Sequence, residues 1–380
     1  MLSSAPTPEQ KDGPHMAQDS EPLAAYRARV RGCLLGGAVG DALGAPVEFH
    51  TLHAIRAAHG PRGVRSHAAP EALVTDDTQM TLWTVEGLIR AGNRQALHGG
   101  KLDPAPAVHD AYLRWYHTQN HAAPTGDHTG WLAGRAWLYA RRAPGTTCMN
   151  ALSEAADGRQ ERGAGNTNGS KGCGGVMRSA PFGLLPPHTA SDDDVFDWAD
   201  QAAGLTHGHP TGRLASGATA LLVRRLVSGD DLDAALDAVL AALRTRPHHE
   251  ETTEALVAAR AAAADGPPRA ETVETLGGGW IAEEALAIAV YAALVHRGPQ
   301  EFTDALALAV THSGDSDSTG AVCGNLLGAL HGEAALPGEL ADPVEGRDDL
   351  LRLADDLVTA FTADPRPASR EWLERYGDQP

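Results

Sequence analysis

The sequence predicts an all-α fold, and three observations predict it. Most of the 380 residues fall into segments whose apolar positions recur at three- and four-residue spacing, the period of one helix face. Runs of β-branched and aromatic residues alternating with polar ones, the mark of strands, are almost missing. Ala and Leu fill the periodic segments while aromatics make up only 5%, which favours close packing of helix on helix. With no internal repeat and no break in composition, a compact single-domain orthogonal multi-helix bundle is expected over residues 21–365.

Taken in order, residues 1–20 are polar and Pro-rich and predict a disordered tail. No basic stretch precedes an apolar one there, so they do not read as a signal peptide. The first helix is expected over 26–36. It leads into a GxxxGxxxG series, Gly36, Gly40 and Gly44, that fits close helix packing; a dinucleotide fingerprint would need a preceding strand. Helical patterns follow at 78–91 and 107–117. Between 156 and 180 the period gives way to a loop with six glycines in the thirteen residues 163–175. Such a loop serves either as a flexible linker or as a nest of backbone N–H groups for an anion. It ends abruptly in Val176-Met177-Arg178 and an apolar stretch, which sets it against a buried segment. Gly169-Ser170-Lys171 is not a P-loop, where Lys follows Gly and precedes Ser or Thr. Helical patterns resume at 212–227, 232–243, 252–264, 282–295, 318–330 and 348–361, with Pro267-Pro268 and 365–367 marking loops. Residues 366–380 read as a C-terminal extension.

Charge and cysteine usage narrow the class. Forty-nine Asp and Glu stand against 31 Lys and Arg, a formal charge of −18, which argues against nucleic acid or an anionic membrane as the default partner. The longest apolar run, 285–295, is too short to cross a bilayer. Four widely spaced cysteines, with no CxxC pair, indicate neither a disulfide framework nor a zinc cluster. A cytoplasmic protein, monomeric by default, is the expectation.

Two acidic clusters carry the chemistry. Thr75-Asp76-Asp77-Thr78 and Asp315-Ser316-Asp317-Ser318-Thr319 each stand directly before a helical pattern. Each alone is explained by capping, since Thr, Ser and Asp satisfy the first N–H groups of a helix and complement its dipole. Hard divalent cations also want oxygen ligands, and Asp-x-Asp places two carboxylates within reach of one ion. If the two helix starts meet, four pooled carboxylates would repel one another without a cation, and paired metal sites are suited to oxygen-rich substrates. The sequence leaves both readings standing. Asp76-Asp77 with Met80 is a poor terpene-synthase motif, and His109-Asp110 a poor phosphohydrolase pair.

Five ordered stretches resemble the ADP-ribosylglycohydrolase family. They are GCLLGGAVGDALGAPVEF (32–49), TDDTQM (75–80), NGSKGCGGVMRSAPFGLL (168–185), LTHGHPTGRLASGA (205–218) and HSGDSDSTGAVCGNLLGALHG (312–332). The resemblance implies an all-α fold with a dinuclear site for two divalent cations, Mg2+ or Mn2+. Its first metal motif matches Thr75, Asp76 and Asp77. Its second, Asp-x-Asp-Thr, matches Asp315, Asp317 and Ser318, with Ser where Thr is usual and Thr319 next door as a substitute hydroxyl. Glu48 matches a loop glutamate assigned to water activation or to a gate; otherwise it is a solvent-facing carboxylate. Gly169, Ser170, Gly172, Gly174 and Gly175 match the loop that receives the substrate diphosphate, to which Lys171 could add a cation. Cys173, inside that loop, is a packing residue or a thiol of unknown exposure. His207 matches a histidine near bound ADP-ribose, and Trp280 stands where an aromatic meets the nucleotide; a buried helix-end His and a core Trp are the plain alternatives.

The implied reaction is metal-dependent cleavage of the C1″ bond between ADP-ribose and an acceptor, with Glu48, Asp77 or Asp315 as acid or base. The implied partner is the ADP-ribose moiety of a modified acceptor, foremost an arginine or serine side chain. Nucleic acid enters only as another modified acceptor, and a small-molecule adduct stays open. The competing reading is a non-catalytic ADP-ribose binder or a crystallin-like structural member.

Overall fold

The computed structural model describes residues 20–126, 130–364 and 366–377, so all of the predicted tail but Ser20 lies outside the described residues. The helices in chain order are α1 (Glu21–Gly44), α2 (Leu52–His59), α3 (Asp76–His98), α4 (Ala105–Asn120), α5 (Thr146–Ala156) and α6 (Ala180–Gly183). Next come α7 (Asp192–Gly204), α8 (Pro210–Val227), α9 (Leu232–Arg244), α10 (Glu250–Ala264), α11 (Ala270–Thr275) and α12 (Ala282–Val295). The last are α13 (Phe302–Val310), α14 (Ser316–His331), α15 (Gly338–Ala341), α16 (Arg347–Thr362) and α17 (Arg370–Tyr376). The fold is an all-α multi-helix bundle. Strand pairing among the described residues amounts to two isolated bridges, Ala72 with Val344 and Gly172 with Ile281. No described helix is long and apolar enough to cross a membrane.

At the centre α1 and α14 lie backbone against backbone. A Cβ at Gly36 would run into the Gly324 carbonyl and one at Gly40 into the Gly320 carbonyl. From the other side, a Cβ at Gly328 would meet the Gly32 carbonyl and one at Gly320 the Gly40 carbonyl. The glycine series therefore packs helices, as its spacing predicts. Asn325 Nδ2 adds a hydrogen bond to the Cys33 carbonyl at 2.8 Å. Around this pair, α3 and α16 pack beside α1, and α8, α12 and α13 beside α14. In an ordinary helix interior Ala is more stable than Gly by about 1 kcal/mol. Here the sign reverses: Gly40→Ala and Gly324→Ala should each cost roughly 1–3 kcal/mol through overpacking. Denaturant melts measure this, and a neutral or stabilising result for both would refute the seam as a constraint.

All nine predicted helices are present, but the pattern understates α1. Its second half, from Gly32 to Gly44, is buried all round and so has no polar face to reveal a period. The same holds for α13, in which Phe302, Leu306 and Val310 are buried within a nine-residue run of mostly apolar residues. Helix α7 was hidden by its Asp-rich start, where Ser191 and Asp194 form a capping box. Beyond residue 366, α17 packs back onto the bundle. Trp372 Nε1 donates to Asn93 Oδ1 at 3.2 Å, Tyr376 OH to Asp356 at 2.7 Å, and Arg90 Nη1 to the Gly377 carbonyl at 2.8 Å.

Candidate functional site

The glycine seam sets the end of α1 against the start of α14, since a Cβ at Gly44 would strike the Ser316 carbonyl. One turn before that end, fully buried Asp41 reaches out to the start of α3. Its carboxylate accepts from Thr75 N at 3.0 Å, Thr75 Oγ1 at 2.9 Å, Thr78 N at 3.1 Å and Thr78 Oγ1 at 2.5 Å. Four donors on one carboxylate tie the start of α3 to the end of α1. Asp41 was not singled out from the sequence. Its signal was a lone charge inside an otherwise apolar, glycine-studded helix, where a buried carboxylate needs a purpose.

Asp76 and Asp77 are thereby brought beside Asp315 and Asp317 in a cleft of about 360 Å3, which Glu48 and Ser318 also line. Glu48, Asp315 and Asp317 offer oxygens that all lie within 4.8 Å of one another. Burial pushes the carboxyls of Asp76, Asp77 and Asp315 well above the ordinary range, and the Asp317 charge pushes them further. The same two causes, with Asp41 added, raise Glu48 to about 8. Asp77 Oδ1 is buried without any hydrogen-bond partner. Crowded carboxylates and an orphaned carboxylate oxygen are the surroundings a hard cation fits. Capping holds as well: Thr75 Oγ1 accepts from Asp77 N at 3.3 Å, and Asp315 accepts from Ser318 N at 3.3 Å. Capping and cation ligation therefore draw on the same two clusters.

The hydroxyls differ from one another. Ser318 lines the cleft, whereas Thr75 Oγ1 donates to Asp41 outside it. Thr319 cannot substitute for Ser318. It is fully buried, and its Oγ1 lies within hydrogen-bond reach of the Ala309 and Asp315 carbonyls at 2.8 and 2.9 Å.

The opposite wall is the Gly-rich loop, which is an ordered element and not a linker. Asn168 Oδ1 accepts from Ser170 N and Gly208 N, both at 3.0 Å, while its Nδ2 donates to the Thr206 carbonyl at 2.8 Å. Cys173 N donates to the Trp280 carbonyl at 3.1 Å and Ala282 N to the Lys171 carbonyl at 2.9 Å. Gly172, Cys173 and Gly174 line the cleft; Gly169, Ser170 and Gly175 do not. Gly174 is needed for close approach, because a Cβ there would come within 2.8 Å of Cys148 Sγ and 3.0 Å of His207 Cε1. Lys171 is not available to an anion in the cleft: its Nζ is bound by Glu251 at 2.7 Å and Glu283 at 2.5 Å. The Cys173 thiol donates to Asp315 Oδ2 at 2.8 Å.

His207 is buried and faces the cleft. Burial, then the Arg178 charge, lowers it to about 3, so the ring is neutral. Arg178 Nη2 donates to Thr206 Oγ1 at 2.6 Å, and the same hydroxyl lies 2.8 Å from His207 Nδ1 and 3.4 Å from the Ala203 carbonyl. His207 Nε2 lies next to Gly172 and Gly174. At the mouth Trp280 is an exposed aromatic and not a core residue. It stacks on Phe49 with centroids 5.2 Å apart. Phe49, absent from the sequence reading, sits at φ 67°, a strained conformation for a non-glycine that holds its ring outward beside Glu48.

The sequence model of the ADP-ribosylglycohydrolase family matches residues 22–367. ADP-ribosylhydrolase ARH3 of Mus musculus is 25% identical, over 88% of this chain and 92% of its own. ADP-ribosylarginine hydrolase Tri1 of Pseudomonas putida is 26% identical, over 87% of this chain and 77% of its own. A solved structure described as an ADP-ribosylglycohydrolase-related protein complex superposes with a TM-score of 0.62 at 26% identity, covering 89% of this chain and all of that one.

Proposed function

The chain belongs to the ADP-ribosylglycohydrolase family of hydrolases, and from that premise we propose that it cleaves the C1″ bond joining ADP-ribose to a modified acceptor. One observation carries the reading: five carboxylates from three separate stretches converge on one cleft, facing a neutral histidine and an ordered glycine loop. Asp76, Asp77, Asp315 and Asp317, with the Ser318 hydroxyl and Thr75 behind them, would hold two divalent cations. When bound, Mg2+ or Mn2+ supplies charge neutralisation and a Lewis-acid grip on vicinal ribose hydroxyls.

The chain's own groups account for the rest. Glu48, half-buried at the mouth, gives its proton to the departing acceptor atom as the C1″ bond breaks with its electron pair on that atom. The carboxylate left behind takes a proton from the water whose oxygen bonds to C1″. Positive charge on the ribose ring meets the carboxylates of Asp77 and Asp315. His207 Nε2–H donates to the diphosphate, and Trp280 with Phe49 covers the adenine.

A further hollow of about 300 Å3 shares Glu48 and Ala143 with the cleft and carries Glu71. Arg142 there is already paired with Glu345, so the Glu71 carboxylate suits a cationic arginine acceptor better than a serine. A hydrolysis panel on arginine-linked, serine-linked and base-linked ADP-ribose, with Mg2+ and with EDTA, tests the reading. Release of ADP-ribose from the arginine-linked substrate only with metal is expected, and Glu48→Gln should slow it by about 10²–10⁴-fold. Binding of ADP-ribose without any turnover across the panel would leave a reader and not a hydrolase.

A further inference from the structure

We propose that the protein carries a second ligand site, an arginine-walled cavity that takes the phosphate group of a nucleotide-sized molecule. The cavity measures about 530 Å3 and shares no lining residue with the acidic cleft. Arg56, Arg62, Arg65 and Arg269 line it, against Glu271 and Asp304 as the acidic lining residues. In a chain with 49 acidic and 31 Lys and Arg residues, this wall reverses the bulk sign. A local cationic concavity in an acidic molecule is where an anion can be held once long-range attraction is absent.

Two of the four guanidinium groups are already engaged, Arg56 by Glu271 and Arg65 by Asp304. Arg62 and Arg269 are exposed and form no ion pair among the described residues. Guanidinium forks bind phosphate with several parallel N–H donors, so the unused donors of Arg62 and Arg269 point to that group. Pro61, Pro268 and Leu308 supply apolar surface for the remainder of a ligand, and the volume lies in the small-molecule range of roughly 300–1,000 Å3. Along the chain, the elements that wall the cavity lead to residues of the cleft. Arg56 stands on α2, which follows Phe49; Arg269 precedes α11, which leads to Trp280; and Thr311 comes shortly before Asp315.

Calorimetric titration of the full chain in EDTA, with ADP, inorganic phosphate and an oligo-glutamate peptide as probes, tests the site. Phe49→Ala/Trp280→Ala removes the adenine contacts of the cleft, and ADP is expected still to bind that variant. Arg62→Glu/Arg269→Glu made in that background should lose at least tenfold in ADP affinity with an unchanged melting temperature, and Arg62→Gln/Arg269→Gln should lose less. Weaker binding of inorganic phosphate, lost in the same charge-reversed chain, would identify the phosphate group as the element recognised. The proposal is overturned if ADP binding in the Phe49→Ala/Trp280→Ala background survives both arginine variants or if no phosphate compound binds the wild type. It is also overturned if the peptide binds more tightly than ADP, which would make the face a protein-docking surface.

Discussion

Replacing Asp315 and Asp317 together by Asn is expected to lower ADP-ribose release by about 10³-fold, some 4 kcal/mol of transition-state stabilisation, and yet to raise the melting temperature of the metal-free chain. The two effects have one cause. The Asp317 charge raises the carboxyls of Asp41, Glu48, Asp76, Asp77 and Asp315 alike, so in the absence of cations it is the common source of repulsion. Asn keeps the side-chain oxygen that accepts from Ser318 N, at 3.0 Å from Asp317 in the native chain, so α14 should still start in the same place. Relief worth about 1 kcal/mol would appear as a rise of roughly 1–2 °C. Differential scanning fluorimetry in EDTA, circular dichroism and a turnover assay are the measurements. Full turnover in the double variant would sink the proposed site; lost helicity would show that the carboxylates hold the fold.

Metal-free protein should lose stability as pH rises from about 6.5 to 8, and Mg2+ should flatten that slope. Glu48 at about 8 and Asp41 at about 7 stand above their ordinary values of 4.5 and 3.8. The folded chain therefore holds protons that the unfolded chain releases. Their stabilising contribution is complete below the unfolded values and is lost as pH passes through 7 and 8. Two buried histidines act in the opposite sense. His207 at about 3 and His312 at about 4 stay neutral in the fold, so acidification below their ordinary 6.5 favours the unfolded chain. The carboxylate effect stands clear only above that value. Cations that satisfy the carboxylates remove the reason for proton uptake, so melting temperatures with and without Mg2+ across pH 6.5–8 decide the matter. A metal-free chain that grows more stable over that range would contradict the assigned electrostatics.

The acidic clusters were legible because together they exceed what capping needs, and Glu48 and His207 because each lies within a stretch with family resemblance. Asp41 and Phe49 were not. A single Asp in a buried helix is indistinguishable by spacing from a surface residue until its four donors are seen. An exposed Phe reads as core until its φ of 67° turns it outward. Lys171 shows the reverse error. Its position in the glycine loop suggested a cation for an anion, but Glu251 and Glu283, from α10 and α12, already hold it.

By itself the sequence determined the helical class, the glycine seam and the two acidic clusters, because each of these is a matter of period, spacing or residue type. Tertiary structure decided which oxygens face one another, and so whether −18 of net charge is spread out or concentrated. Five carboxylates share one cleft because α1 and α14 can touch only where neither carries a side chain, and because Asp41 then ties the start of α3 to that contact. The same folding gathered four arginines into a separate hollow. Charge balance along a chain constrains the total alone; distances below a Debye length of about 8–10 Å, which only the fold assigns, set what each charge can bind.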